Sequence, residues 1–203
     1  AVLTSGEILR IDESGSISSV AAPSNSAPLY SGPHRIAVDD AATVFAMART
    51  DRSVLLRRCD LAAARPACRD SVVETIDAEA LALSRDGARL AVAGSDGTIV
   101  LHSAGTGERI GETLGDKPGP LSIAFSSDAA LLAVGTRGGE LTVYDAGALS
   151  PSNGAAILAT NRVSGSAITA MRFAPGAPLL ALVCDEQDIC LYPLESFGED
   201  RAR

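Results

Sequence analysis

Four segments of this chain repeat one pattern of apolar residues, and that period limits the folds open to it more than any single residue does. Aligned on Val38, Leu83, Phe125 and Phe173, the segments start 45, 42 and 48 residues apart. Nine residues after each start stands another apolar residue: Met47, Val92, Val134 and Leu182. Nine further on come Leu56, Leu101, Val143 and Leu191. The register holds without a gap through all four copies, so the variation in length lies outside this block.

Every copy reads as the same series of short strands. An alternating run opens it, as in Ile36-Ala37-Val38, Leu81-Ala82-Leu83, Ile123-Ala124-Phe125 and Met171-Arg172-Phe173. A polar turn comes next (Arg85-Asp86-Gly87, Ser127-Asp128-Ala129), then an apolar strand such as Leu90-Ala91-Val92. Asp96-Gly97 in one copy and Gly138-Gly139 in the next supply the positive φ that a tight hairpin requires. A second alternating strand succeeds it, and segments rich in Gly, Pro, Ser and Ala carry a fourth, such as Arg109 to Leu114. Four short strands per unit at a period in the forties describe a β-propeller blade. With aromatics at 3% and no Trp, the cores between blades must be built from Ala, Val, Leu and Ile.

The stretch LALSRDGARLAVAGSDGTIVLHSA, Leu81 to Ala104, resembles a WD-repeat blade, and IAFSSDAALLAVGTRGGELTVYDA, Ile123 to Ala146, is similar. The resemblance runs from Pro33 to Leu194 and implies a propeller whose blades turn their first strands to a central channel. The family's Trp-Asp pair would fall at Arg57-Arg58, His102-Ser103, Tyr144-Asp145 and Tyr192-Pro193, and only Tyr144-Asp145 comes close. The Gly-His pair before the inner strand is missing too, so the hydrogen-bonded network that braces family blades is not carried over to any blade here.

The fold expected is all-β, a partial β-propeller of four-stranded antiparallel blades, three full and two incomplete. The units run over residues 1–23, 33–74, 78–115, 119–160 and 166–195 of one propeller or propeller segment. The first reads as three strands (Val2-Leu3, Glu7 to Ile11, Ile17 to Val20) without an inner one, and Ser14 to Ser31 reads as a loop between units. After Tyr192 the charged segment Glu195 to Arg203 offers no convincing fourth strand. A closed seven-bladed ring takes about 300 residues, and the chain has 203. The open edges of a partial ring are an association hazard that something should cover.

Charge narrows the partners. A net charge of −8 disfavours nucleic acid, whose backbone demands a basic patch, and anionic membranes likewise. No apolar run approaches the ~18 residues a spanning helix needs, and Ala1 to Asp12 lacks the pattern of a signal peptide. The two histidines, His34 and His102, are too few for a His-rich metal centre and read as a loop and a packed residue. Gly105-Thr106-Gly107 lacks the strand-to-helix setting of a phosphate loop. Inner strands of small apolar residues, with Arg35, Asp39 and Glu79 only at their ends, offer neither acid, base nor calcium ligand, so no enzyme and no cofactor is expected.

The cysteines fall as two near pairs. Cys59 and Cys68 flank a turn, and a cross-strand disulfide between them is open. For the second pair a two-residue turn at Glu186-Gln187 puts Cys184 opposite Ile189, so Cys184 and Cys190 point to opposite faces and need a bulge to join. Neither spacing suits a metal. Buried free thiols are the expected state, and they imply a cytoplasmic setting.

The function expected is a non-enzymatic scaffold that binds a protein or peptide on one rim. That rim presents Arg35, Asp51, Arg52, Asp96, Lys117, Arg137, Asp185, Glu186 and Gln187. The alternative is a structural propeller segment inside a multi-subunit complex or a longer chain, with a propeller hydrolase of the calcium-dependent lactonase type a third reading.

Overall fold

In the computed structural model the described residues are 8–11, 17–21, 36–41, 43–60, 67–113, 119–148, 157–177, 179–184 and 188–194. They form 17 strands and no α-helix. The first two, β1 (Ile8–Ile11) and β2 (Ile17–Ala21), pair as an antiparallel hairpin. The first four-stranded sheet has β3 (Ile36–Val38), β4 (Val44–Ala48), β5 (Ser53–Asp60) and β6 (Ala67–Thr75) in chain order. The second has β7 (Ala78–Leu83), β8 (Arg89–Gly94), β9 (Ile99–Ser103) and β10 (Arg109–Thr113). In the third are β11 (Pro120–Phe125), β12 (Leu131–Thr136), β13 (Glu140–Asp145) and β14 (Ile157–Arg162). The last holds three strands, β15 (Met171–Phe173), β16 (Leu179–Cys184) and β17 (Asp188–Pro193). Every pairing is antiparallel between strands adjacent in sequence, the meander of a propeller blade. The Val2-Leu3 strand, the Ser14 to Ser31 loop as a whole and the tail from Glu195 lie outside the described residues.

The repeat acquires its physical meaning in how the sheets stack. Each sheet turns two different faces to its neighbours. One carries large residues on its second strand: Phe45 and Met47, Leu90 and Val92, Leu132 and Val134, Leu180 and Leu182. The other carries small residues there, paired across to large ones on the third strand. Ala46 faces Leu56 and Ala48 faces Val54; Ala91 faces Leu101 and Ala93 faces Ile99; Ala133 faces Val143 and Gly135 faces Leu141.

The small-residue face of each sheet packs on the large-residue face of the next. Ala46, Ala48, Val54 and Leu56 meet Leu81, Leu90 and Val92. Ala91, Ala93, Ile99 and Leu101 meet Ile123, Leu132 and Val134. Ala133, Leu141 and Val143 meet Phe173, Leu180 and Leu182. Fully burying one such aliphatic side chain contributes about 1.5–3 kcal/mol, so each interface is a small hydrophobic core. Consecutive inner strands β3, β7, β11 and β15 run side by side along one edge of this stack.

Both cysteine pairs are bridged, and no free cysteine is left, against the expectation of free thiols. Cys59 lies directly opposite Cys68, with Cα atoms 4.0 Å apart. At the second pair the hairpin register differs by one residue from the expected one. The strands end at Cys184 and resume at Asp188, so the loop has three residues rather than two, and Cys184 pairs with Asp188 while Cys190 pairs with Leu182. An odd loop reverses the side-chain parity. Cys184 and Cys190 therefore share a face as diagonal neighbours, and no bulge is needed.

Candidate functional site

Two rims of the stack carry the polar side chains. On one, the turns between second and third strands, Asp51-Arg52, Asp96-Gly97 and Gly138-Gly139, recur at the same place in successive sheets, with Arg137 just before the third. These turns share a backbone bond, from the N–H of Arg52, Gly97 and Gly139 to the carbonyls of Arg49, Gly94 and Thr136 at 3.0, 3.0 and 3.2 Å. The residue donating it lies in the left-handed region, with φ 90° at Gly97 and 77° at Gly139. In the first sheet that position holds Arg52, with φ 66°. A side chain there costs conformational energy that glycine avoids. Local packing has no use for Arg52: the residue is exposed, and its guanidinium makes no side-chain hydrogen bond among the described residues.

Its neighbours on this rim are held in local contacts. Asp51 accepts from the Ser53 hydroxyl at 2.5 Å and the Ser53 N–H at 3.0 Å, and the serine hydroxyl bond is the main reason its carboxyl sits below the usual aspartate range. Asp96 accepts the Thr98 N–H at 2.9 Å, closing its own turn. Arg137 reaches across to Glu79 of the second sheet at 3.2 Å. Arg35, Lys117, Asp185, Glu186, Gln187 and His34 lie outside the described residues.

At the opposite rim the inner strands line an open cavity of about 570 Å³. Ala37, Ala82 and Ala124 form part of its wall, and Asp40, Arg85, Ser127 and Arg172 stand at its polar margin. Asp39, expected only as a charge at a strand end, is a buried turn-former: it accepts the backbone N–H of Thr43 at 2.7 Å and of Val44 at 2.9 Å. Asp40 and Arg85 form an ion pair that ties the first sheet to the second. Arg172, in the middle of β15, is exposed. Sequence reasoning passes over Asp40, Arg85 and Arg172. The available signal is Arg172 itself, a charged residue where the other copies have Ala37, Ala82 and Ala124.

The positions where a WD-repeat blade would carry Trp hold other residues here. Arg57, buried, makes a two-pronged ion pair with Asp70 on the neighbouring strand at 2.6 and 2.5 Å. His102, also buried, has Nε2 3.3 Å from Glu74 of the first sheet and Nδ1 3.2 Å from the Gly107 carbonyl. The Tyr192 hydroxyl donates to the Val163 carbonyl at 3.3 Å. Among the described residues, no group of three or more His, Cys, Asp or Glu could hold a metal ion.

Strand order, repeated interfaces and side-by-side inner strands together define an arc of β-propeller blades. Solved structures place it more closely. Sqt1 from Chaetomium thermophilum, bound to the N-terminus of the ribosomal protein L10, superposes with a TM-score of 0.68 over 95% of this chain and 54% of its own, at 20% identity. A chain of the mitotic checkpoint complex gives 0.67 over 96% and 57%, at 19% identity. Hydrazine synthase from Kuenenia stuttgartiensis gives 0.63 over 82% and 47%, at 17% identity. At such identities the likeness is one of fold, and the chain spans about half the length of these proteins. No family model matches the chain, and no curated protein matches it in sequence.

Proposed function

We propose that the chain is a non-enzymatic, WD-repeat-like scaffold that binds a protein or peptide on the rim of Arg52 and Arg137, with Arg35, Lys117, Asp185, Glu186 and Gln187 as further contacts. One observation carries the reading: Arg52 occupies a left-handed turn position that the sister blades give to Gly97 and Gly139. Strain kept at an exposed residue whose side chain makes no hydrogen bond among the described residues points to a role outside the fold. A protruding guanidinium is a strong recognition group for carboxylates and backbone carbonyls. Sqt1, similar in fold, was solved with a protein's N-terminal segment, which supports a peptide as the partner here. A second reading, a segment within a larger assembly, is favoured by the last sheet's exposed apolar face.

The cytoplasmic setting expected from free thiols has no thiol left to rest on, because all four cysteines are bridged. Such bridges persist where the surroundings oxidise. No helix among the described residues is long and apolar enough to cross a membrane.

A random peptide library displayed on phage and selected against the immobilised chain tests the rim. Selected peptides should lose about tenfold in affinity, roughly 1.4 kcal/mol, on Arg52→Gly or Arg137→Glu. They should be indifferent to Arg172→Glu on the opposite rim. Arg52→Gly relieves the turn, so its melting temperature should not fall. Selected peptides that bind Arg52→Gly and Arg137→Glu as tightly as the parent would overturn the site.

A further inference from the structure

Three consecutive residue pairs join β5 to β6, and the middle one is out of keeping with its neighbours. Arg57 lies opposite Asp70, Arg58 opposite Arg69, and Cys59 opposite Cys68. The outer two pairs are tied, one by the two-pronged ion pair and the other by the disulfide. Between them two arginines stand directly opposite each other, an arrangement in which like charges destabilise a sheet. Neither makes a side-chain hydrogen bond or ion pair among the described residues, and Nε of Arg58 is buried without a partner. A buried donor without an acceptor costs stability, and native chains rarely leave one so without a use for it.

The surroundings do not neutralise the pair. Arg58 also lies opposite Val44, on the face that packs against the second sheet. Further along β6 on that face, the Ser71 hydroxyl donates to the Leu56 carbonyl at 3.4 Å. Glu74 beyond it is taken by Arg109 at 2.8 Å and His102 at 3.3 Å. Asp60, two residues from Arg58, has a contact of its own. Arg69 is exposed and Arg58 partly so, which leaves the pair open to solvent. The ties on either side fix the strands beneath both arginines, so a ligand meets a site already in place and the ordering cost of binding falls.

We propose that Arg58 and Arg69 together bind a phosphate-class dianion, either inorganic phosphate or the phosphate of a small monoester. Arginine stays charged at any working pH and presents a planar fork of donors to such oxygens. Two fixed positive charges match a phosphate group, which carries about −1.5 to −2 at neutral pH. A single carboxylate would leave one of them uncompensated. The bound oxyanion screens the arginines from each other and offers the buried Nε an acceptor. Arg58 lies towards the far end of β5 from Arg52, roughly 15–20 Å along the strand. This site and the peptide-binding rim can therefore fail independently.

Titration of the intact, disulfide-bonded chain with inorganic phosphate at constant ionic strength, followed by amide NMR shifts, tests it. Phosphate should bind saturably in the millimolar range or tighter, sulfate should compete, and acetate should bind about tenfold more weakly or worse. Arg58→Gln and Arg69→Gln should each weaken phosphate by about tenfold, with unchanged circular dichroism spectra, while Arg172→Gln should leave it as it was. Glycerol phosphate binding tighter than inorganic phosphate assigns the site to a monoester, and the reverse order assigns it to the free ion; either order upholds the dianion site. In phosphate-free buffer Arg69→Glu supplies the missing carboxylate and should melt roughly 2 °C above the parent. No saturation by about 50 mM phosphate, acetate as tight as phosphate, full affinity in both glutamine variants, or a lower melting temperature for Arg69→Glu would each overturn the proposal.

Discussion

The third and last sheets present nearly the same face, and they differ in whether another sheet stacks upon it. Leu141 and Val143 on β13 are enclosed by Leu180, Leu182 and Phe173, while Ile189 and Leu191 on β17 project from the surface. Strand, register and residue type are alike, so the difference is one of context. A propeller blade is not a self-sufficient unit: its stability comes from the neighbour that covers it.

The largest effect expected of a single substitution separates these two positions. Leu141→Ala should destabilise the chain by about 3 kcal/mol or more, through lost burial and the cavity left behind. Ile189→Ala, at the equivalent place, should stay within about 0.5 kcal/mol, as exposed changes do. Urea unfolding of dilute samples measures both. Equal costs would mean that the last sheet is as well covered as the third.

Next in size is the pair standing where a WD-repeat blade would carry Trp. Asp70→Ala removes the two-pronged carboxylate from buried Arg57 in the first sheet, and should cost about 3 kcal/mol. Tyr192→Phe in the last sheet removes only the bond to the Val163 carbonyl, worth about 1 kcal/mol or less. Thermal melts of the two variants should differ plainly, with Asp70→Ala much the lower.

Acid should also distinguish the sheets. In the second and third, a serine hydroxyl donates to the turn aspartate, Ser84 to Asp86 at 2.6 Å and Ser126 to Asp128 at 2.5 Å. These bonds, foremost among several, hold both carboxyls below the ordinary aspartate value of 3.8. A folded-state pKa below the unfolded one means stability present above the unfolded value and lost as pH falls through the folded one. The corresponding turn of the last sheet is Pro175-Gly176-Ala177, with no such pair. Hydrogen exchange below about pH 3.8 should therefore show the 84–89 and 126–131 turns opening while the 174–179 turn is unchanged, and Ser84→Ala should abolish the first response.

The smallest effect concerns one backbone position. Ala129 has φ 57° where the second sheet has Gly87 at 68°. Ala129→Gly should stabilise the third sheet slightly, by up to about 1 kcal/mol, because relief of the left-handed alanine outweighs the added freedom of the unfolded chain. A lower melting temperature would show that the alanine methyl, buried in the turn, contributes more by packing.

The stacking order is legible in the sequence because a period of apolar pairs survives wherever a blade has a neighbour. The nine-residue step from Val92 to Leu101 goes with Ala91 opposite Leu101, and that from Val134 to Val143 with Ala133 opposite Val143. Exposure is not legible, since Leu191 carries the same pattern as Leu101 and Val143 and only the neighbouring sheet distinguishes them. The second disulfide escapes the sequence for a local reason: a turn of two or three residues looks alike in Asp185-Glu186-Gln187, yet the choice decides which face Cys190 takes. At the candidate rim, the value of φ at Arg52 needs the structure, but the departure itself does not. The turn motif names glycine at that position in two copies, which makes the arginine in the third a signal that the pattern alone already held.

Hydroxyl-radical footprinting of a dilute sample reads the contrast between the two faces residue by residue. An arc of blades left open at its last sheet requires rapid oxidation of Ile189 and Leu191 and strong protection of Leu141 and Val143. Arg52→Gly, on the rim, should change nothing at these sites. Protection of Ile189 and Leu191 in the dilute sample, or labelling of Leu141 and Val143, would contradict the open last sheet and the stacking that leaves it open.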